Sequence, residues 1–152
     1  MIVDDDDEVR EMIRAILEAE GYRTLGAPNG RDALRLLAHA KVLPDLILCD
    51  LLMPITDGED FFASLEHYEH LRSIPFVFMT GDVDQLKQRQ GKPGVSALLP
   101  KPLDTDVLLG IVRQYSCRRG SAPKKGFSGV WQRLMGGSAP RSGSLVSRAP
   151  RR

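Results

Sequence analysis

Leu46-Ile47-Leu48-Cys49-Asp50-Leu51-Leu52-Met53-Pro54 decides how this chain folds: four apolar residues in a row stop at an acid, and a loop with a proline follows. An unbroken apolar run of that length is expected of a strand buried on both faces, the situation of a parallel sheet covered by helices on either side. On both sides of the run, short apolar stretches alternate with longer segments of helical spacing, so five strand-helix units can be counted over residues 1–118. The fold class is therefore α/β, a doubly wound parallel sheet.

The first strand is a stub, Ile2-Val3-Asp4, and a helix follows from about Asp7 to Glu20 with Val9, Ile13, Ile16 and Leu17 on one face. Asp6 or Asp7 is its N-cap, and Gly21 ends it. Tyr22 to Ala27 is predicted as the second strand, and Gly30 to Ala40 as the second helix, on Ala33, Leu34 and Leu37. The third helix follows Gly58 and carries Phe61, Phe62, Leu65 and Tyr68; Phe76 to Met79 is the fourth strand, ending at Thr80. A polar helix from about Val83 to Arg89, a fifth strand from Val95 to Leu99 and a closing helix from Asp104 to about Cys117 complete the series.

The chain has 152 residues, 42% hydrophobic and 27% charged, enough for one compact unit with an appendage. No stretch approaches the ~20 apolar residues of a membrane span, and the start runs into four aspartates, so a cytoplasmic protein is expected. Cys49 and Cys117 lack the spacing of a zinc site or a disulfide framework and read as reduced packing residues. Charge is divided: residues 1–118 hold 13 basic and 20 acidic residues, net −7, while 119–152 hold eight basic residues and no acid. That second part is a basic tail rich in Gly, Ser and Pro, whose composition predicts disorder. Its apolar island, Phe127, Val130, Trp131, Leu134 and Met135, carries a lesser reading as a short amphipathic docking helix.

In a doubly wound sheet the carboxyl ends of the strands share one edge, where ligands bind. Asp4 and Asp5, Asp50, Thr80 and Lys101 all stand at such ends and should converge. Three carboxylates brought together need cationic compensation, from Lys101 and a hard divalent ion; Mg²⁺ fits best, because it takes few carboxylates and keeps waters and phosphate oxygens. A carboxylate beside such an ion and an ammonium is a nucleophile toward phosphoryl groups, and Asp50 is the candidate. Pro54 and Gly58 fix the turn beside it.

Ile2-Val3-Asp4-Asp5, Asp50-Leu51-Leu52-Met53-Pro54 with Asp57-Gly58 three residues on, Met79-Thr80-Gly81 and Lys101-Pro102 together resemble the receiver domain of two-component response regulators, in its chemotaxis-type, flavodoxin-like form. The resemblance covers residues 1 to about 118, and the four blocks in order are highly specific. It implies a five-stranded (βα)5 sheet of order 2-1-3-4-5. It implies further that Asp50 accepts a phosphoryl group from a phosphohistidine on a sensor histidine kinase or a histidine phosphotransfer protein. Asp4, Asp5, Asp50 and the backbone carbonyl of Leu52 would hold Mg²⁺, with Mn²⁺ as a substitute. Lys101 would pair with a phosphoryl oxygen, with a cis bond to Pro102. Thr80 would report phosphorylation to the face of the fourth helix, fifth strand and closing helix, and Gly81 would leave room for the phosphoryl group. Pro54, Asp57, Gly58 and Pro102 shape the loops. Output would pass to a downstream protein by contact, with a homodimer through that same face as a further expectation. No enzyme is implied beyond self-phosphorylation and autodephosphorylation.

The chain departs from the family pattern in three places. The first strand is short, Leu98 stands where an aromatic switch residue is usual, and Pro100 requires the fifth strand to lie at an edge or to end there. Asp6, Asp7 and Glu8 read as capping and dipole complements, and His39, His67 and His70 as surface or packing residues. A metal-dependent phosphatase would need a carboxylate two residues beyond Asp50, where Leu52 stands. The remaining rivals are a pseudo-receiver that binds without phosphorylation and a DNA-binding regulator acting through the tail; the 34 residues of the tail supply no helix-turn-helix core.

Overall fold

A computed structural model describes residues 1–54, 57–82, 84, 88, 91 and 93–116. The tail 119–152, Cys117 and all but Asp84 and Gln88 of the predicted polar helix lie outside the described residues; those two are helical. The strands β1 (Ile2–Val3), β2 (Gly26–Ala27), β3 (Ile47–Asp50), β4 (Phe76–Thr80) and β5 (Val95–Pro100) alternate with the helices α1 (Asp7–Ala19), α2 (Gly30–His39) and α3 (Gly58–Glu66). The closing helix is α4 (Thr105–Ser116). All strand pairs are parallel, in the order β2-β1-β3-β4-β5.

The helix signals read in sequence operate as capping chemistry requires. Asp6 is the N-cap of α1, its carboxylate accepting the amides of Glu8 and Val9. At the other end Gly21 has φ +84, its amide donating to Glu18 O and that of Tyr22 to Leu17 O. This pair of bonds is a Schellman ending, which needs a left-handed residue at that point. Asn29 and Asp57 cap α2 and α3 in the same way, and Val107 donates to the Asp104 carboxylate at the start of α4.

Side-chain alternation along the two central strands builds a separate core on each face of the sheet. Ile47, Cys49, Phe76 and Phe78 pack with Ala33, Leu37, Phe61 and Leu65 beneath α2 and α3. Leu48, Val77 and Met79 pack with Ile13, Leu17, Leu108 and Ile111 beneath α1 and α4. On the first face Phe62 meets Phe76 edge-on at 5.0 Å, and Phe76 meets Phe78 at 4.9 Å. Such pairs add about 0.5–1.5 kcal/mol each to the area they bury.

Two expectations change. The second strand is Gly26–Ala27 alone, because β1 offers only two residues for it to pair with. Tyr68 is not on the inner face of α3: the helix ends at Glu66, and Tyr68 is 52% exposed in the following turn. Leu98 is buried opposite Phe78, a packing position. Pro100 is accommodated because β5 is an edge strand.

Candidate functional site

The strand ends bring Asp4, Asp5, Asp50, Thr80 and Lys101 to one edge of the sheet. Asp4 is fully buried just beyond β1, Asp50 is the buried last residue of β3, and Asp5 is exposed. Carboxylate oxygens of the three lie within 4.8 Å of one another. From the far side Lys101 Nζ donates to Asp4 Oδ2 at 2.8 Å and reaches Asp50 Oδ2 at 2.9 Å. One ammonium therefore bridges two of the three acids.

This arrangement follows from backbone bonds at the ends of the strands. Lys101 N donates to Thr80 O at 2.8 Å and Leu51 N to Met79 O at 2.9 Å, so β5 and β3 are both tied to the end of β4. The Lys101–Pro102 peptide is cis. Asp4 Oδ1 accepts the Asp6 amide at 3.1 Å. In the loop after β3, Leu51 and Met53 are buried while Leu52 is 60% exposed. Asp57 closes that loop as the cap of α3, accepting the Asp60 amide at 2.8 Å, and Gly58 N donates back to Leu51 O. Pro54 is exposed in the same loop, and Pro102 is exposed after Lys101.

The electrostatics are those of a partly desolvated acid cluster. Burial pushes the Asp4 carboxyl above its usual range, only partly opposed by its hydrogen bonds from Lys101 and Asp6. Burial by itself would lower the Lys101 ammonium, but its bonds to Asp4 and Asp50 outweigh that and hold it raised. Cys49, next in sequence to Asp50, is a buried thiol driven upward by burial and by the neighbouring carboxylates, and its Sγ donates to Asp50 O at 3.1 Å.

Thr80 is buried, and its hydroxyl oxygen accepts the Asp82 amide at 3.1 Å, which leaves its own O–H as a donor. Where Gly81 would carry a β-carbon there is nothing within 4 Å. Arg10 also belongs to the site. Its guanidinium donates to Asp4 O at 2.6 Å and pairs with Asp7, tying the acidic loop to α1. A bond to a backbone carbonyl six residues earlier leaves no pattern in sequence that would reveal it.

Fold and site define a doubly wound α/β protein with an acidic, lysine-bridged crevice at the carboxyl ends of its strands. The profile of the response regulator receiver domain matches residues 1–113. The chain is 35% identical over 128 residues to the response regulator Rre1 of Synechocystis, a match spanning 83% of this chain and 54% of Rre1. With the polar-differentiation response regulator DivK of Brucella anthropi it shares 32% identity, over 76% of this chain and 93% of DivK. Among solved structures, the signal receiver domain of a signal transduction histidine kinase from Syntrophus aciditrophicus superposes with a TM-score of 0.69 at 31% identity, covering 84% of this chain and 96% of that one. The chain belongs to the response regulator receiver domain family of two-component signalling.

Proposed function

We propose that this chain is a phosphoacceptor switch: Asp50 takes a phosphoryl group from a phosphohistidine of a sensor kinase or phosphotransfer protein, and the altered surface signals by protein contact. The observation that carries this reading is the Lys101 ammonium held between Asp4 and Asp50, within reach of the crevice in which Asp5 completes an oxygen donor set. Those donors are hard and anionic, and the neighbouring Cys49 thiol is kept protonated by burial, so the set suits Mg²⁺, with Mn²⁺ as a substitute, better than a thiophilic metal.

Asp4, Asp5 and Asp50 would hold the ion, with the Leu52 carbonyl as the further ligand that the family implies. When bound, the ion neutralises charge on the transferring phosphoryl oxygens. The Asp50 oxygen not engaged by Lys101 attacks phosphorus; the oxygen–phosphorus bond forms as the phosphorus–nitrogen bond breaks, and the donor leaves as imidazole. Lys101 then balances charge on a phosphoryl oxygen, and the Thr80 hydroxyl, through its unspent O–H, donates to another. The open space at Gly81 admits the group and the water that later hydrolyses it. The chain acts on itself alone in this scheme, so it is a signalling protein and not an enzyme with an external substrate. Among the described residues no helix is long and apolar enough to cross a membrane.

Intact mass after incubation with acetyl phosphate tests the reading. One phosphoryl adduct that requires Mg²⁺ and is absent from Asp50→Asn is the expected result. No adduct on the folded chain would transfer the assignment to a phosphorylation-independent binding module.

A further inference from the structure

At the amino ends of the strands, across the sheet from Asp50, lies a cavity of about 320 Å³. Leu17, Tyr22, Leu25, Val42, Leu46 and Val112 supply its apolar lining. Around it Leu25 is 38% exposed and Val42 74% exposed, so part of the apolar rim faces solvent. Arg23 and Asp45 provide polar edges.

The closing helix delivers the chain to this place. Val112 of α4 lines the cavity, Arg113 pairs with Glu20 at the end of α1, and the Tyr115 hydroxyl donates to Ser96 O at the start of β5. Ser116, one helical turn or ~6 Å beyond Val112, is the last residue of the helix. The described residues thus end, at Ser116, at the same end of the molecule as the cavity.

We propose that the segment 127–135 of this same chain docks in the cavity through Phe127, Val130, Trp131 and Leu134. These four recur at the i, i+3, i+4, i+7 spacing of one helical face, with Ser128, Gln132 and Arg133 opposite. The stretch from Ser116 to Phe127 spans up to ~40 Å, ample for a cavity that begins one turn from Ser116. Charge favours the contact: residues 1–118 carry net −7 and the remainder +8. A tether this short keeps the segment at a local concentration in the millimolar range, so modest affinity suffices.

The chain contains a single tryptophan, Trp131, which reports directly on docking. In the full chain its fluorescence is expected to be shifted to the blue and quenched by acrylamide several-fold less readily than in urea. Val42→Asp on the exposed rim and Leu134→Asp in the segment should each restore the quenching seen in urea, without loss of the Mg²⁺-dependent adduct or of the circular dichroism of the body. Three results would overturn the proposal: quenching in the native chain as ready as in urea, protection unaffected by both substitutions, or protection lost on dilution, which would give the cavity to the tail of a second copy.

Discussion

Gly58 packs against the backbone of the Asp50 loop so closely that a β-carbon would stand 2.4 Å from Asp50 O and 3.0 Å from the Leu51 α-carbon. Neither neighbour is the end of a flexible side chain, so an added methyl group has to displace α3 or the loop that carries the acid. Gly58→Ala is expected to cost about 1–3 kcal/mol of stability by overpacking and to lower the rate of adduct formation at Asp50. Urea denaturation and time-resolved intact mass measure the two effects. An alanine variant with unchanged midpoint and unchanged rate would mean that the loop yields without consequence.

Removing the ammonium that Asp4 and Asp50 share should expose their repulsion. Lys101→Met leaves the buried Asp4 without its partner, and breaking a buried pair in this way costs about 3 kcal/mol. The loss should be largest at neutral pH with a chelator present, shrink in acid as Asp4 protonates, and shrink on adding Mg²⁺. Denaturation curves under those three conditions separate this from a packing defect, which would cost the same in all of them.

Acidification should weaken cation binding earlier than for an ordinary carboxylate. Asp4 titrates above its usual 3.8 because burial favours the neutral form. The folded chain therefore keeps a proton that the unfolded chain has released, so the contribution of Asp4 to stability is whole below 3.8 and is lost as pH rises through its folded value. Binding of Mg²⁺ requires that proton to leave, so apparent affinity should rise about tenfold per pH unit through the same window and then level off. Titration calorimetry from about pH 4 to neutrality would show the slope, and Asp4→Asn should flatten it. A pH-independent affinity in the unmodified chain would contradict the assignment of Asp4 as a ligand.

Asp6 distinguishes capping from ligation. Its side chain accepts two amides of the first turn of α1, whereas its contact with Asp4 runs through its own backbone N–H. Asp6→Ala should cost about 1 kcal/mol, seen as a lower melting temperature, with Mg²⁺ affinity unchanged. A drop in affinity matching that of Asp5→Asn would reassign Asp6 to the ion.

The fold was legible because its signals are local. The apolar runs of β3 and β4, the acids at the caps and Gly21 each act within a few residues of themselves, and each operates as read. The convergence of Asp4, Asp5, Asp50 and Lys101 was legible for a related reason: in a parallel sheet all strands end at one edge, so a polar residue at a strand end has its location set by topology. The length of β2 was not legible, since a strand pairs only as far as its neighbour extends, and its pairing partners are 24 residues away in sequence. Tyr68 misled because its spacing continues the helical pattern of Phe61 and Leu65 past the point where α3 stops.

Sequence by itself determined the class of fold, the acids and the lysine, because periodicity and strand-end chemistry are properties of short segments. Only the tertiary structure decided that one ammonium bridges Asp4 and Asp50, that Arg10 holds the Asp4 carbonyl, that Gly58 has no room for a side chain and that a cavity opens at the far edge. Each of these depends on angstrom-scale distances between segments that meet only once both cores have closed, and no periodicity encodes such distances.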